Sequence, residues 1–139
     1  MVLESLVRHP RAVVGAWRID GGVLDLLPLL DALPTASDAA EGADLFHGTL
    51  TAALIDWTLP VLRERGLQRV ALSGGCLMNG VLAEGLASGF AAAGIEALLP
   101  RQAPANDGGL SLGQAWVAAS SVRETLQKSG RNGIVFRAE

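Results

Sequence analysis

Val70-Ala71-Leu72-Ser73-Gly74-Gly75-Cys76-Leu77-Met78-Asn79 is the stretch whose reading decides the fold. Three apolar residues run into a Ser-Gly-Gly turn, and helical spacing follows from Val81 to Ala93, closed by Gly94. That order predicts a strand feeding a helix N-terminus, where backbone N–H groups can face a phosphate or another polar ligand group. A second apolar run, Ile95 to Leu99, stops at Pro100 and is followed by Pro104-Ala105-Asn106-Asp107-Gly108-Gly109. One carboxylate before paired glycines, just after a strand, can reach a metal or a substrate. Leu110 to Arg123 then has helical spacing, with Leu112, Ala115, Trp116 and Ala119 expected inward. Strand, helix, strand, helix predicts an α/β fold: parallel pairing in a central sheet with helices packed on it. The two turns together read as half of a nucleotide-binding cleft.

Upstream, Met1 to Val7 reads as a short helical piece and Ala12 to Ile19 as a strand. Asp20-Gly21-Gly22 is a turn signal, after which Val23 to Leu27 is either a hairpin partner or a lead into a helix from Leu29 to Leu33. Pro34 to Asp44 is expected as a loop in which Ser37 or Asp38 caps the next helix. From Asp44 to Arg65 the apolar residues recur at helical steps. Pro60 should kink or divide this helix near Thr58, and Gly66 should stop it. Arg69 to Leu72 is expected as a short buried strand. Trp17, Trp57 and Trp116 read as core residues, and Cys76 as a buried structural thiol. His47, early in the long helix, reads as a packed or capping histidine. Residues 1–125 form the expected lobe and 126–139 a flexible tail.

Composition bounds the function. At 139 residues and 50% hydrophobic, the chain is large enough for one domain with a core. A net charge of −3 argues against holding nucleic acid by phosphate attraction. One cysteine allows neither an internal disulfide nor a cysteine zinc cluster. No uninterrupted apolar run reaches the ~18 residues of a membrane span, and the N-terminal residues lack the apolar core of a signal peptide. A cytoplasmic location is expected.

Leu72 to Asn79 taken with Leu98 to Ala115, together with Phe46-His47 and the opening Met1-Val2-Leu3-Glu4, resembles the C-terminal part of HypF-type carbamoyltransferases, the hydrogenase maturation factors. The resemblance covers roughly Met1 to Ser120. It implies the C-terminal lobe of an actin, sugar kinase and heat-shock ATPase-type fold, in which two lobes clamp a nucleotide. It also implies a reaction that uses carbamoyl phosphate and ATP, by way of carbamoyl-adenylate, to carbamoylate the C-terminal cysteine of a HypE-type partner. By the same resemblance Ser73, Gly74, Gly75 and Asn79 hold the nucleotide, and Asp107 helps bind a divalent metal.

The sequence departs from the family's pattern in three places. The paired histidines of the N-lobe metal site are not here, since the chain has only His9 and His47. The Glu-Gly-Gln segment expected just before Met1 is absent, and Gly80 stands where many relatives have Arg. The chain therefore reads as a lobe whose cleft needs a second lobe. On its own it is expected to be inactive, to hold no cofactor and to expose an apolar face prone to self-association. Two alternatives stay open at this point: a non-catalytic binding or scaffold module, and a lobe of an O-carbamoyltransferase.

Overall fold

Gly21 and Gly22, with φ of 55° and 81°, make the tight turn that Asp20-Gly-Gly announces. They fold Arg18–Asp20 (β1) back onto Val23–Asp25 (β2) as an antiparallel hairpin, with Ile19 opposite Leu24. The computed structural model describes residues 2–128. After the hairpin come a short helix, Leu27–Ala32 (α1), and the long helix Ala39–Glu64 (α2). Arg69–Ala71 (β3), Gly80–Ala92 (α3), Glu96–Leu98 (β4) and Leu110–Lys128 (α4) complete the order.

Helix α2 starts earlier than its apolar spacing suggests. Asp38 accepts the Glu41 N–H at 2.7 Å, and the Glu41 carboxylate reaches back to the Ser37 N–H and hydroxyl, each at 2.7 Å. This reciprocal cap engages donors that the first helical turn leaves free, so the expected loop ends at Asp38. Pro60 does not divide the helix, which is continuous to Glu64. Gly66 at φ 62° then ends it: Leu67 N–H reaches Leu62 O and Gly66 N–H reaches Arg63 O. Gly94 at φ 77° repeats the device after α3, with Ile95 N–H on Phe90 O and Gly94 N–H on Ala91 O.

Ala12 to Trp17 is not a strand, contrary to the expectation from its apolar run; only Arg18–Asp20 pairs. The backbone from Arg8 to Val13 finds its partners on α2 instead of in a ladder. Asp44 Oδ1 accepts the N–H groups of Arg8 and His9 at 2.7 and 2.8 Å, Asp44 O accepts Arg11 N–H, and Thr49 Oγ1 accepts Val13 N–H at 2.9 Å. Gly48 makes this close approach possible, because a Cβ there would overlap the Arg11 backbone.

The core sits between α2, α3 and β4: Leu62, Leu82, Leu86, Phe90 and Ile95 are buried together, with Val70 and Ala97 packed against them. Gly85 and Gly89 let α3 lie close on α2, facing Thr51 and Ile55. Strands β3 and β4 pair in parallel, Val70 opposite Ala97, and Leu72 N–H extends the ladder to Leu98 O at 2.9 Å. The expected central sheet is replaced, among the described residues, by two separate two-stranded sheets. The expected burial of β3 fails for that reason. Val70 faces the core, while Arg69 and Ala71 lie on the open face and are exposed. There Arg69 Nε meets Glu96 Oε2 at 2.7 Å across the pair.

Helix α4 differs most from expectation. Leu112, Ala115, Trp116 and Ala119 are not inward; every residue from 110 to 125 is exposed, and Trp116 is 75% exposed. No described element covers its apolar side chains. Trp57 is likewise at the rim, its indole N–H donating to Gly22 O at 2.7 Å. The helix runs to Lys128, into the segment expected as a tail, and the remainder of that segment lies outside the described residues. Helix α2 is the one helix among the described residues long and apolar enough by composition to cross a membrane, yet it carries buried His47 and Asp44 and the inner face of the core.

Candidate functional site

Parallel pairing of β3 and β4 puts their C-terminal ends side by side, so the turns that leave them meet. Gly74, at φ 112° and ψ 162°, adopts a backbone that only glycine holds without strain. Its N–H donates to Ala105 O at 2.7 Å, and the Ser73 hydroxyl reaches the same carbonyl at 3.3 Å. One loop is thereby tied to the other. On the far side, Asn106 Oδ1 accepts Gly108 N–H at 3.0 Å and opens a single 3-10 turn, Asp107–Gly109. Side chains at Gly108 and Gly109 would crowd Pro104, so the paired glycines allow the loop to fold onto itself.

Between the loops and the first turns of α4 lies an open groove of about 780 Å³ that includes Ser73, Gly74, Asn106, Asp107, Gln114 and Val117 in its wall. Most of its surface is apolar. Its volume falls in the range of small-molecule sites. Of the sequence-derived candidates, the structure brings Ser73, Gly74 and Asp107 to one groove. Gly75 and Asn79 do not line it.

Asn79 lies at the start of α3 and works there. Its Oδ1 accepts Leu82 N–H at 3.0 Å, capping the helix, and its Nδ2 lies 2.8 Å from His47 Nε2. His47 is 1% exposed, and its Nδ1 is 2.8 Å from Ala43 O. The packed role expected of His47 is what the structure gives it. Gly80 N–H, the first of α3, donates to Glu4 Oε1 at 2.6 Å. That hydrogen bond lowers the Glu4 pKa below the ordinary carboxylate value, and a carboxylate is favoured at a helix N-terminus. The N–H groups expected to face a phosphate thus have partners at three positions: Gly74, Gly80 and Leu82. Cys76 is exposed on the 3-10 turn Gly75–Met78, not buried as expected; Leu77 is the side chain of that turn that packs against the core.

Asp107 is an exposed single carboxylate, and among the described residues no group of three or more His, Cys, Asp or Glu could hold a metal ion. Mg²⁺ takes near-octahedral oxygen coordination, so these residues alone do not make a metal site. His47 and Glu4 are the residues that motif reading undervalued. Phe46-His47 and the opening Met1-Val2-Leu3-Glu4 were both visible signals, but neither named a partner for His47 or Glu4.

Two short parallel strands around one helix, with a glycine turn and an acidic turn at their C-terminal ends, define an α/β module with a small-molecule groove at the strand ends. The chain belongs to the family described as the carbamoyltransferase, Kae1-like domain, second subdomain, whose model matches residues 1–114. It is 50% identical over 116 residues to a carbamoyltransferase HypF of Rhizobium leguminosarum bv. viciae, covering 82% of this chain and 15% of that protein. It is 51% identical over 108 residues to carbamoyltransferase HypF2 of Cupriavidus necator, covering 77% of this chain and 13% of that one. A full-length HypF crystallised in a phosphate- and nucleotide-bound form superposes with a TM-score of 0.75 at 27% identity, over 86% of this chain and 17% of that structure. HypF of T. kodakarensis shares the fold, with a TM-score of 0.74 at 22% identity over 89% of this chain and 17% of that structure. The chain spans less than a fifth of each of these four proteins.

Proposed function

We propose that this chain is one lobe of a two-lobed, actin and sugar kinase-type carbamoyltransferase and supplies half of its nucleotide cleft. The observation that carries the reading is the groove between the Ser73-Gly74 turn and the Asp107 turn, closed at its base by the Gly74 to Ala105 hydrogen bond. Ser73, Gly74 and Gly75 would hold ATP and then carbamoyl-adenylate, with Asn79 contributing from the start of α3. Asp107 would give one oxygen to a divalent cation whose other ligands, including histidines, come from outside these residues. Carbamoyl phosphate is the proposed donor, and the proposed acceptor is the C-terminal cysteine of a HypE-type partner in nickel–iron hydrogenase maturation. Such chemistry belongs in the cytoplasm.

The chain's own part in the reaction is binding and orientation. Gly74 needs no Cβ, so a ligand can approach the backbone closely. The apolar wall of the groove excludes water from one side, which strengthens polar contacts made there. The test is steady-state kinetics of Asp107→Ala and Ser73→Ala in the full-length enzyme containing this segment, with folding followed by circular dichroism. Asp107→Ala should depress kcat at least tenfold, and Ser73→Ala should mainly raise the KM for ATP. A folded Asp107→Ala enzyme with wild-type kcat would leave Asp107 as a turn residue and remove the metal assignment.

A further inference from the structure

We infer that His47 is a positioning residue for the nucleotide site, fixing the side-chain amide of Asn79 in one orientation; this rests on the nucleotide reading of Asn79 above. His47 projects from α2 toward the first turn of α3. Its Nδ1 lies 2.8 Å from the Ala43 carbonyl oxygen, which can only accept, so Nδ1 carries the proton. Nε2 is then an acceptor. It faces Asn79 Nδ2 at 2.8 Å, which can only donate. Asn79 Oδ1 in turn accepts Leu82 N–H at 3.0 Å. The series has one consistent direction. Turning the Asn79 amide over would set its NH₂ against the Leu82 N–H and its oxygen against the Nε2 lone pair.

The ring itself cannot turn to accommodate such a change. It is 1% exposed, and Phe46 meets it edge-on at a centroid distance of 5.3 Å and 87° between planes. A histidine that merely filled this space could be an apolar residue, since burying a polar ring is unfavourable unless its nitrogens are paired. What the imidazole adds is an acceptor at the Asn79 amide. Asn79 is left with one amide hydrogen and one oxygen lone pair, oriented before any ligand arrives. Preorganised polar groups bind without the cost of being ordered.

The experiment measures Mg·ATP affinity by calorimetry in the full-length protein for wild type, Asn79→Ala, His47→Leu and His47→Gln. His47→Leu should weaken Mg·ATP by roughly two- to tenfold, the scale of one hydrogen bond, with binding stoichiometry retained. His47→Gln, whose Oε1 can take the place of Nε2 as acceptor, should return affinity to within about twofold of wild type. A purely structural histidine would lower stoichiometry and thermal stability at constant Kd, and that result overturns the proposal. So does a Gln variant that binds like the Leu variant or fails to fold. Asn79→Ala at wild-type affinity would remove the nucleotide reading of Asn79 and this proposal with it. Asn79→Ala weakened beside an unaffected His47→Leu would remove this proposal alone. Independently of any variant, a ¹⁵N spectrum of the wild-type protein should show the His47 proton on Nδ1; a proton on Nε2 overturns the inference.

Discussion

Gly48 and Gly42 lie on the same helix and make opposite predictions. A Cβ at Gly48 would overlap the Arg11 backbone, whereas one at Gly42 would meet only Ala36 Cβ at 3.7 Å, an ordinary contact. Gly48→Ala should therefore destabilise by about 1–3 kcal/mol through overpacking against an immovable backbone. Gly42→Ala should stabilise by about 0.5–1 kcal/mol through helix propensity. Urea unfolding of both variants checks the pair, and a stabilised Gly48→Ala would mean that the 8–13 arm does not lie on α2. Asp44 fixes the same arm electrostatically. Burial pushes its pKa up, but the N–H groups of Arg8 and His9 outweigh burial and leave it below the ordinary value. Glu41 is lowered by the Ser37 hydroxyl and N–H, and Glu4 by Gly80 N–H. For a depressed carboxylate, the stabilisation is fully present above the unfolded pKa of about 4 and disappears as pH falls through the folded value. Tm should accordingly be flat from neutrality to about pH 5 and fall below about pH 4. Asp44→Asn should shallow that acid limb, as thermal melts across pH would show.

At the scale of elements, α3 depends on its two ends. Asn79→Ala removes the cap on Leu82 N–H and leaves His47 Nε2 without its donor, so the ligand-free protein should lose about 1–2 kcal/mol. A residue that served only the nucleotide would leave the ligand-free melting temperature unchanged, which makes the melt decisive. The turns and stops of these elements were legible because their chemistry is local: Asp20-Gly-Gly, Gly66 and Gly94 each sit where a positive φ is required. The β3-α3-β4 order was legible for the same reason, and with it the meeting of Ser73-Gly74 with Asp107 at the strand ends. The 12–17 segment was misread because its continuous apolar run fits a strand, while the partners that hold the chain there, Thr49 for Val13 and Asp44 for the residues just before it, lie more than thirty residues away. Asn79 was recognised from its motif, but its link to His47 depends on how α2 crosses α3, which no spacing within either helix reveals. Periodicity marked α4 as amphipathic without saying what covers it.

At the scale of the molecule, the described residues leave one side of the fold open. A groove walled on one side cannot align a carbamoyl donor and acceptor or exclude water, and a lone Asp107 does not complete a metal's coordination. The isolated chain should show no turnover of carbamoyl phosphate and ATP; turnover abolished by Asp107→Ala would contradict this. The same open side predicts association. Leu110, Leu112, Trp116, Val117 and Val122 are exposed along α4, on a helix that no described element covers. Leu112 and Trp116 lie four residues apart on one side of the helix, and exposed apolar side chains grouped in this way are characteristic of a contact face. In sedimentation velocity the isolated chain should show a weight-average mass that rises with concentration. Leu112→Lys and Trp116→Lys together should restore a monomer without loss of helix content, because both side chains are already in solvent and a helix tolerates lysine. The equivalent pair Val14→Lys and Val23→Lys, exposed near the hairpin and away from α4, should leave the association unchanged. Equal dispersal by both pairs would mean that added charge, not the α4 face, governs the association. Persistence of the oligomer in the α4 pair would place the contact elsewhere on the molecule.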